Sequence, residues 1–199
     1  MCPGSTVLNV GGGSRKIPLP AHYAGWEQVL LDIQAGEGVD IVCDGRELGR
    51  FAGGRYDAVY CSHNLEHYHL HEVPQVLGSF LHVLRSDGFA EIRVPDIGAV
   101  IHAIAENNLT LHAELYRAPA GPISVHDVIY GFGRQIERSG NPFYAHKCGF
   151  TPDSLVLALK QAGFGEVWVL PPLSEFEARA VAFKQAASES QRQLLGITA

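Results

Sequence analysis

The sequence predicts an α/β fold, a three-layer sandwich whose mostly parallel sheet is closed by an antiparallel C-terminal hairpin. Three observations predict it. Strand-like and helix-like runs alternate from Thr6 onward, which calls for a parallel sheet with helices on both faces. The first apolar run, Val7-Leu8-Asn9-Val10, ends in Gly11-Gly12-Gly13, and a later one, Leu30-Leu31, ends in Asp32, 21 residues after Gly11. The last two strand-like runs, Val167–Leu170 and Arg179–Phe183, are joined by a loop around Pro171-Pro172. A parallel return needs a dozen or more residues, so these two run antiparallel.

The elements follow in order. Thr6–Val10, Val29–Ile33, Asp40–Cys43, Ala58–Cys61 and Ala90–Val94 are strands by their apolar, β-branched content. Val73, Val76, Leu77, Phe80, Leu81 and Leu84 recur at helical spacing and make an amphipathic helix packed on the sheet. That helix ends at Ser86-Asp87-Gly88, a turn feeding the next strand. Pro95-Asp96 stops the strand and caps a helix with the apolar face Ile97, Val100, Ile101 and Ile104. From about Leu109 to Gly149 neither period is clean. Thr151-Pro152 then reads as N-cap and N1 of a helix through Ala162, with Gly163 as its C′ glycine. One domain over 1–186 is expected, followed by a polar, loosely packed tail over 187–199.

Composition bounds the function. The 199 residues suffice for one buried core and are short for two. A net charge of −6 argues against a nucleic-acid footprint, which needs a concentrated surplus of Lys and Arg. No apolar run reaches the roughly 18 residues of a membrane span, and no leader pattern opens the chain. Cys2, Cys43, Cys61 and Cys148 show no paired spacing, and Cys43 and Cys61 lie in strand-like runs, so free thiols in a reducing cytoplasm are expected.

Glycines after a strand let the backbone take positive φ and approach a ligand closely. An acidic side chain about 20 positions on is where ribose hydroxyls are gripped in nucleotide-binding α/β folds. A dinucleotide site wants G-x-G-x-x-G, with a helix N-terminus meeting the pyrophosphate. Here Gly11-Gly12-Gly13-Ser14-Arg15-Lys16-Ile17-Pro18 has no third spaced glycine, and a second proline follows at position 20. The loop therefore suits adenosine without pyrophosphate.

These residues resemble the class I S-adenosylmethionine-dependent methyltransferases, a Rossmann-like fold, and particularly the small bacterial enzymes with a minimal catalytic domain. The match runs from about Thr6 to Val94 and resumes from about His146 to Phe183. Val7-Leu8-Asn9-Val10-Gly11-Gly12-Gly13 looks like the family's glycine motif and Leu31-Asp32-Ile33 like its ribose motif. Val42-Cys43-Asp44-Gly45 is similar to the third-strand motif, whose acidic side chain meets the adenine amino group. Tyr56 to His67, ending Ser62-His63-Asn64-Leu65-Glu66-His67, resembles the fourth-strand motif with its S-x-x-L-E-H ending. Val83 to Phe89 looks like the L-R-P-G-G turn, with Ser86 and Asp87 replacing Pro and Gly. His146 to Pro152 resembles the H-x-x-x-F-T-P entry to the last helix. The resemblance implies S-adenosyl-L-methionine as cofactor and S-adenosyl-L-homocysteine as product. It implies cofactor contacts at Asn9, Gly11, Gly12, Gly13, Asp32, Ile33, Asp44, Gly45, Ser62 and His63. It also implies a small-molecule acceptor, with no nucleic acid or membrane partner, in a monomer or homodimer. The prolines between Arg15 and Tyr23 shorten or replace the family's first helix, and no D-P-P-Y motif ends the fourth strand. Asn141-Pro142-Phe143-Tyr144 looks superficially like that motif but is expected to be a loop.

Each candidate has a plainer reading. Asp32 is a helix cap or a hydroxyl ligand, Asp44 an Asx-turn residue or an adenine contact. Ser62 satisfies local backbone or borders the methionine moiety. His63, His67, His69 and His71 crowd one segment with Glu66, but a structural zinc site has four spaced ligands, so no metal is expected. His63 and His67 are expected to line the active-site floor or to hold the loop. His126 and His146 are candidate general bases, since imidazole titrates near neutrality, or hydrogen-bonded structural histidines. Tyr60, Tyr130, Phe132 and Tyr144 form a substrate wall or belong to the core. The stretch 121–148 is expected to be a lid over the acceptor, with Arg134 suited to an anionic group. Two other functions stay open: a non-catalytic S-adenosylmethionine-binding protein and a nicotinamide-dependent oxidoreductase.

Overall fold

The computed structural model describes residues 4–118 and 121–197. Cys2, the first three positions of the 1–186 domain and the last two of the 187–199 tail lie outside them. The chain opens with β1 (Thr6–Val10), β2 (Glu27–Asp32), β3 (Ile41–Val42) and β4 (Tyr56–Ser62). Then come α1 (Val73–Val83), β5 (Leu84–Pro95) and α2 (Ile97–Asn107). A hairpin of β6 (Glu114–Ala118) and β7 (Gly121–Ser124) leads into α3 (Val125–Tyr130) and α4 (Gly133–Ser139). The chain closes with α5 (Pro152–Gln161), β8 (Glu166–Leu170), β9 (Glu177–Phe183) and α6 (Glu189–Leu195). No helix among the described residues is long and apolar enough to cross a membrane.

The main sheet has the order β3-β2-β1-β4-β5-β9-β8. The first five strands are parallel, and β9 runs antiparallel between β5 and β8. Alternation along β1 splits its side chains: Leu8 and Val10 enter the core under α1 and α5, whereas Val7 enters the opposite one. On the first face Val73, Val76, Leu77, Phe80 and Val83 of α1 and Leu155 and Leu159 of α5 are buried at the expected periods. The Thr151 hydroxyl accepts from Ser154 N–H, Ser154 returns the bond, and Gly163 takes φ +101° just past the helix. On the second face no helix stands between β1 and β2. The prolines leave only a 3-10 turn at Ala21–Tyr23. Tyr23 is buried there among Tyr60, Phe89 and Phe183, and His22 Nε2 donates to the fully buried Glu91 at 2.8 Å, pinning this segment to the sheet.

Four expectations need correction. Ser86-Asp87-Gly88 is no simple turn after the helix. It lies in a bulge, where pairing jumps from Tyr56↔Leu84 to Ala58↔Phe89 and Arg85 bonds Asp57 at 2.9 Å. The stretch 109–149 is not irregular: it holds the hairpin, α3 and α4, elements too short to impose a readable period. Asn141-Pro142-Phe143-Tyr144 within it forms an Asn141-capped 3-10 turn. The segment after Ala187 is not loosely packed either. Ser188 and Gln191 form a capping box on α6, and Leu195 and Ile197 enter the second core beside Phe183. On α2, the Asp96 carboxylate caps as expected by accepting from Ala99 N–H, but Ile101 faces solvent and Val100 alone is buried.

Candidate cofactor cleft and the buried carboxylate beside it

The strand ends β1, β2 and β3 meet at the carboxyl edge of the sheet. Gly11 takes φ +70°, and its N–H donates to Leu31 O at 2.8 Å, tying the turn to β2. A Cβ there would collide with the Asn64 side chain, and one on Gly12 with that of Asn9 beneath. Gly13, at φ +61°, has open space around it. Asp32 accepts from Gly13 N–H at 3.1 Å and from Gln34 N–H at 3.0 Å, so its carboxylate braces the glycine turn from the end of β2. Asp44 caps the 3-10 helix Gly45–Arg50, accepting from Arg46 N–H at 2.9 Å and from Arg46 Nη2 at 2.6 Å. Burial works to raise its pKa, but these bonds outweigh it and hold the carboxyl below its ordinary range. Arg46 also pairs with Glu72.

A cleft of about 250 Å³ opens at this edge. That lies just below the usual range of small-ligand pockets, about 300–1,000 Å³, and is in keeping with a nucleoside-sized group. Of the sequence candidates, Gly11, Ile33, Asp44 and Gly45 line it. Asn9, Gly12, Gly13 and Asp32 build and brace its turn without forming its wall, and Ser62 ends β4 outside the wall. The sequence reading missed Asn64, Tyr68, Phe143 and Lys147, which also line it. Asn64 had a legible signal, its place inside the S-x-x-L-E-H ending. Phe143 and Lys147 arrive from the 121–148 stretch, so that segment forms part of the cleft wall.

His63 is not on this wall. It takes φ +49°, and its exposed imidazole lies between two carboxylates, Nδ1 at 3.7 Å from Glu66 and Nε2 at 3.4 Å from Glu177. Glu177 accepts from Arg93 Nη2 at 2.5 Å and Nε at 2.9 Å, from Leu173 N–H and from Ser174 Oγ. Burial would raise its pKa, but His63, Arg93 and the Leu173 N–H hold it down at about 2. Arg93 Nη1 donates to Tyr60 OH at 2.7 Å, which places Tyr60 in the core network rather than in a substrate wall.

The two candidate bases are held apart. His126 lies in a separate cleft with His112, Asp127 and Arg134, its ring against Tyr130 at 4.9 Å. His146 is partly buried beside His67, with ring centroids 4.9 Å apart. Its Nδ1 lies 2.8 Å from Val128 O, and a carbonyl only accepts, so Nδ1 carries the proton. Burial pushes the His146 pKa down, and the nearby Glu66 charge opposes that shift without overcoming it. His67, expected on the floor or holding the loop, does both: it lines the cleft and donates from Nδ1 to Ala145 O at 3.1 Å. His69 and His71 stack on each other in an exposed loop.

Residues 3–167 match the family model described as a methyltransferase domain. No curated protein matches the chain. A possible exported protein from Bordetella parapertussis is similar in structure, with TM-score 0.56 and 16% identity over 92% of this chain and 63% of that one. The chain thus spans less than two thirds of that protein's length. A SAM-dependent methyltransferase from Archaeoglobus fulgidus gives TM-score 0.53 and 16% identity over 90% of this chain and 86% of that one. The 1,6-didemethyltoxoflavin-N1-methyltransferase of Burkholderia thailandensis, with bound 1,6-didemethyltoxoflavin and S-adenosylhomocysteine, gives 0.52 and 20% over 92% and 72%. At these identities the likeness is one of fold.

Proposed function

Because the chain belongs to the methyltransferase-domain family, we propose that it transfers a methyl group from S-adenosylmethionine to a small-molecule acceptor, releasing S-adenosylhomocysteine. The observation that carries this reading is the convergence of Gly11, Ile33, Asp44 and Gly45 on one nucleoside-sized cleft, with Asp32 at its rim. The open Gly13 turn offers backbone to the methionine moiety. The Asp32 carboxylate has acceptor capacity left for ribose hydroxyls. Ile33, Cys43 and Tyr68 supply apolar wall for adenine.

The methyl carbon is attacked in line while the C–S bond breaks, and the positive charge on sulfur disperses. No strong electrophile is required. Holding acceptor and methyl in near-attack geometry is worth effective molarities on the order of 10⁵–10⁸ M. We place the acceptor toward His63, Arg93 and Glu177, polar groups at the ends of β4, β5 and β9 along the same sheet edge. Neither His126 nor His146 is assigned as a base. The first is in another cleft, and the free nitrogen of the second faces buried Glu66. The net charge of −6 argues against a nucleic-acid acceptor, and the free thiols Cys43, Cys61 and Cys148 suit a cytoplasmic protein.

Calorimetry with S-adenosylhomocysteine and NADH, followed by transfer of labelled methyl to hydroxyl and amine acceptors, tests the proposal. Selective binding of S-adenosylhomocysteine with turnover of one acceptor class is expected. NADH binding in its place would overturn it.

A further inference from the structure

We propose that Glu66, His67 and His146 bind one divalent transition-metal cation of the zinc class, at the wall shared with the cofactor cleft. One ligand atom from each lies within 4.8 Å of the others. Glu66 is 1% exposed, and neither carboxylate oxygen has a hydrogen-bond partner among the described residues. The nearest imidazole nitrogens, His63 Nδ1 at 3.7 Å and His146 Nε2 at 3.9 Å, are too far to donate to it. A buried carboxylate without donors is costly unless something cationic compensates it.

The two imidazoles are oriented for a cation. His67 donates from Nδ1 to Ala145 O and His146 from Nδ1 to Val128 O. In the neutral tautomer with Nδ1 protonated, both Nε2 atoms present lone pairs beside the Glu66 carboxylate. Metal-bound histidines are held in this way, the second ring nitrogen donating to a backbone carbonyl. Two imidazoles and one carboxylate form a donor set that zinc takes in catalytic sites, leaving a position open. Zinc bonds of about 2.0–2.2 Å put neighbouring ligand atoms about 3.3–3.5 Å apart. Side-chain rotation of roughly an ångström closes the present spacing. The backbone is already stitched for this: Lys147 N–H and Cys148 N–H donate to Glu66 O at 2.8 and 3.3 Å, holding the two segments together. His67 also lines the cleft, so the proposed site borders ligand space.

Expecting no metal rests on local spacing, in which His63 to His71 lack four ligands. His146 lies 79 residues beyond His67 and enters the set only in the fold.

The test uses untagged, dialysed, cofactor-free protein, so its outcome is independent of methyl transfer. Zn²⁺ titrated by calorimetry should bind at one per chain, and Co²⁺ should give visible d–d absorption of a site with nitrogen and oxygen ligands. Glu66→Gln, His67→Ala and His146→Ala should each weaken Zn²⁺ binding by about 100-fold or more, whereas the His69→Ala/His71→Ala double variant should not. If Glu66→Gln fails to fold by circular dichroism, the His146→Ala and Co²⁺ results decide. No Zn²⁺ binding at millimolar concentration, or binding unchanged in His146→Ala, would overturn the proposal.

Discussion

The Glu177 carboxylate accepts two hydrogen bonds from the Arg93 guanidinium, at 2.5 and 2.9 Å, at the edge of the sheet where β9 is inserted antiparallel beside β5. Arg93 carries the contact on to Tyr60, and Glu177 carries it to His63 and the Leu173 N–H. One ion pair thus ties the inserted strand to the loop after β4, where the proposed acceptor would lie.

That pair sets an acid limit on stability. The Glu177 pKa is depressed to about 2 from an ordinary 4.5. Its contribution is full above the unfolded value and is lost as pH falls through the folded one. The stability difference between wild type and Glu177→Gln should therefore shrink by about 2 kcal/mol between pH 5 and pH 3, at about 1.36 kcal/mol per unit. Urea denaturation across that range measures it. Parallel wild-type and variant curves would show that the pair is not coupled to folding.

Asp32 has a double duty, bracing Gly13 and presenting acceptors to ribose. Asp32→Ala should weaken S-adenosylhomocysteine binding by about 1.5–3 kcal/mol, the range for hydrogen bonds to a charged group. Calorimetry decides, with unchanged affinity removing Asp32 from the site.

The stretch 121–148 divides in function. Phe143 lines the cofactor cleft and Lys147 follows on the same wall, so Phe143→Ala and Lys147→Ala should raise the S-adenosylhomocysteine Kd. His126→Ala and Arg134→Ala, in the separate cleft, should leave both that Kd and methyl transfer within about threefold, since neither side chain touches the cofactor cleft or the proposed acceptor position. Parallel loss of binding and turnover in these two would instead make their segment part of the cofactor site.

Leu195 is 7% exposed in the second core. Leu195→Ala should cost about 2–5 kcal/mol, the range for emptying a buried leucine site. A chemical-denaturation midpoint equal to wild type would return this segment to the loosely packed tail that its polarity suggests.

Local chemistry made the cofactor half legible. A strand ending in glycines at Gly11 and an aspartate ending the next strand are short-range signals, because positive φ and strand-end position are set within a few residues. The α1 period, the Thr151-Pro152 start of α5 and the short loop between β8 and β9 were readable for the same reason. The short elements between 109 and 149 were not, since six- and seven-residue helices bury too few side chains to print a period.

The order of the seven main-sheet strands with α1, α2 and α5, the glycine turn, and the carboxylates that end β2 and follow β3 were written in the local sequence. Those follow from backbone sterics and from apolar spacing along one segment. Only the tertiary structure decided what the histidines face. His126 and His146 are 20 positions apart and point to different places: His126 lines the separate cleft, while His146 meets buried Glu66, 80 positions away. That meeting depends on Lys147 and Cys148 docking on the Glu66 carbonyl. It is a long-range contact made by backbone groups common to every residue, and no side-chain pattern announces it.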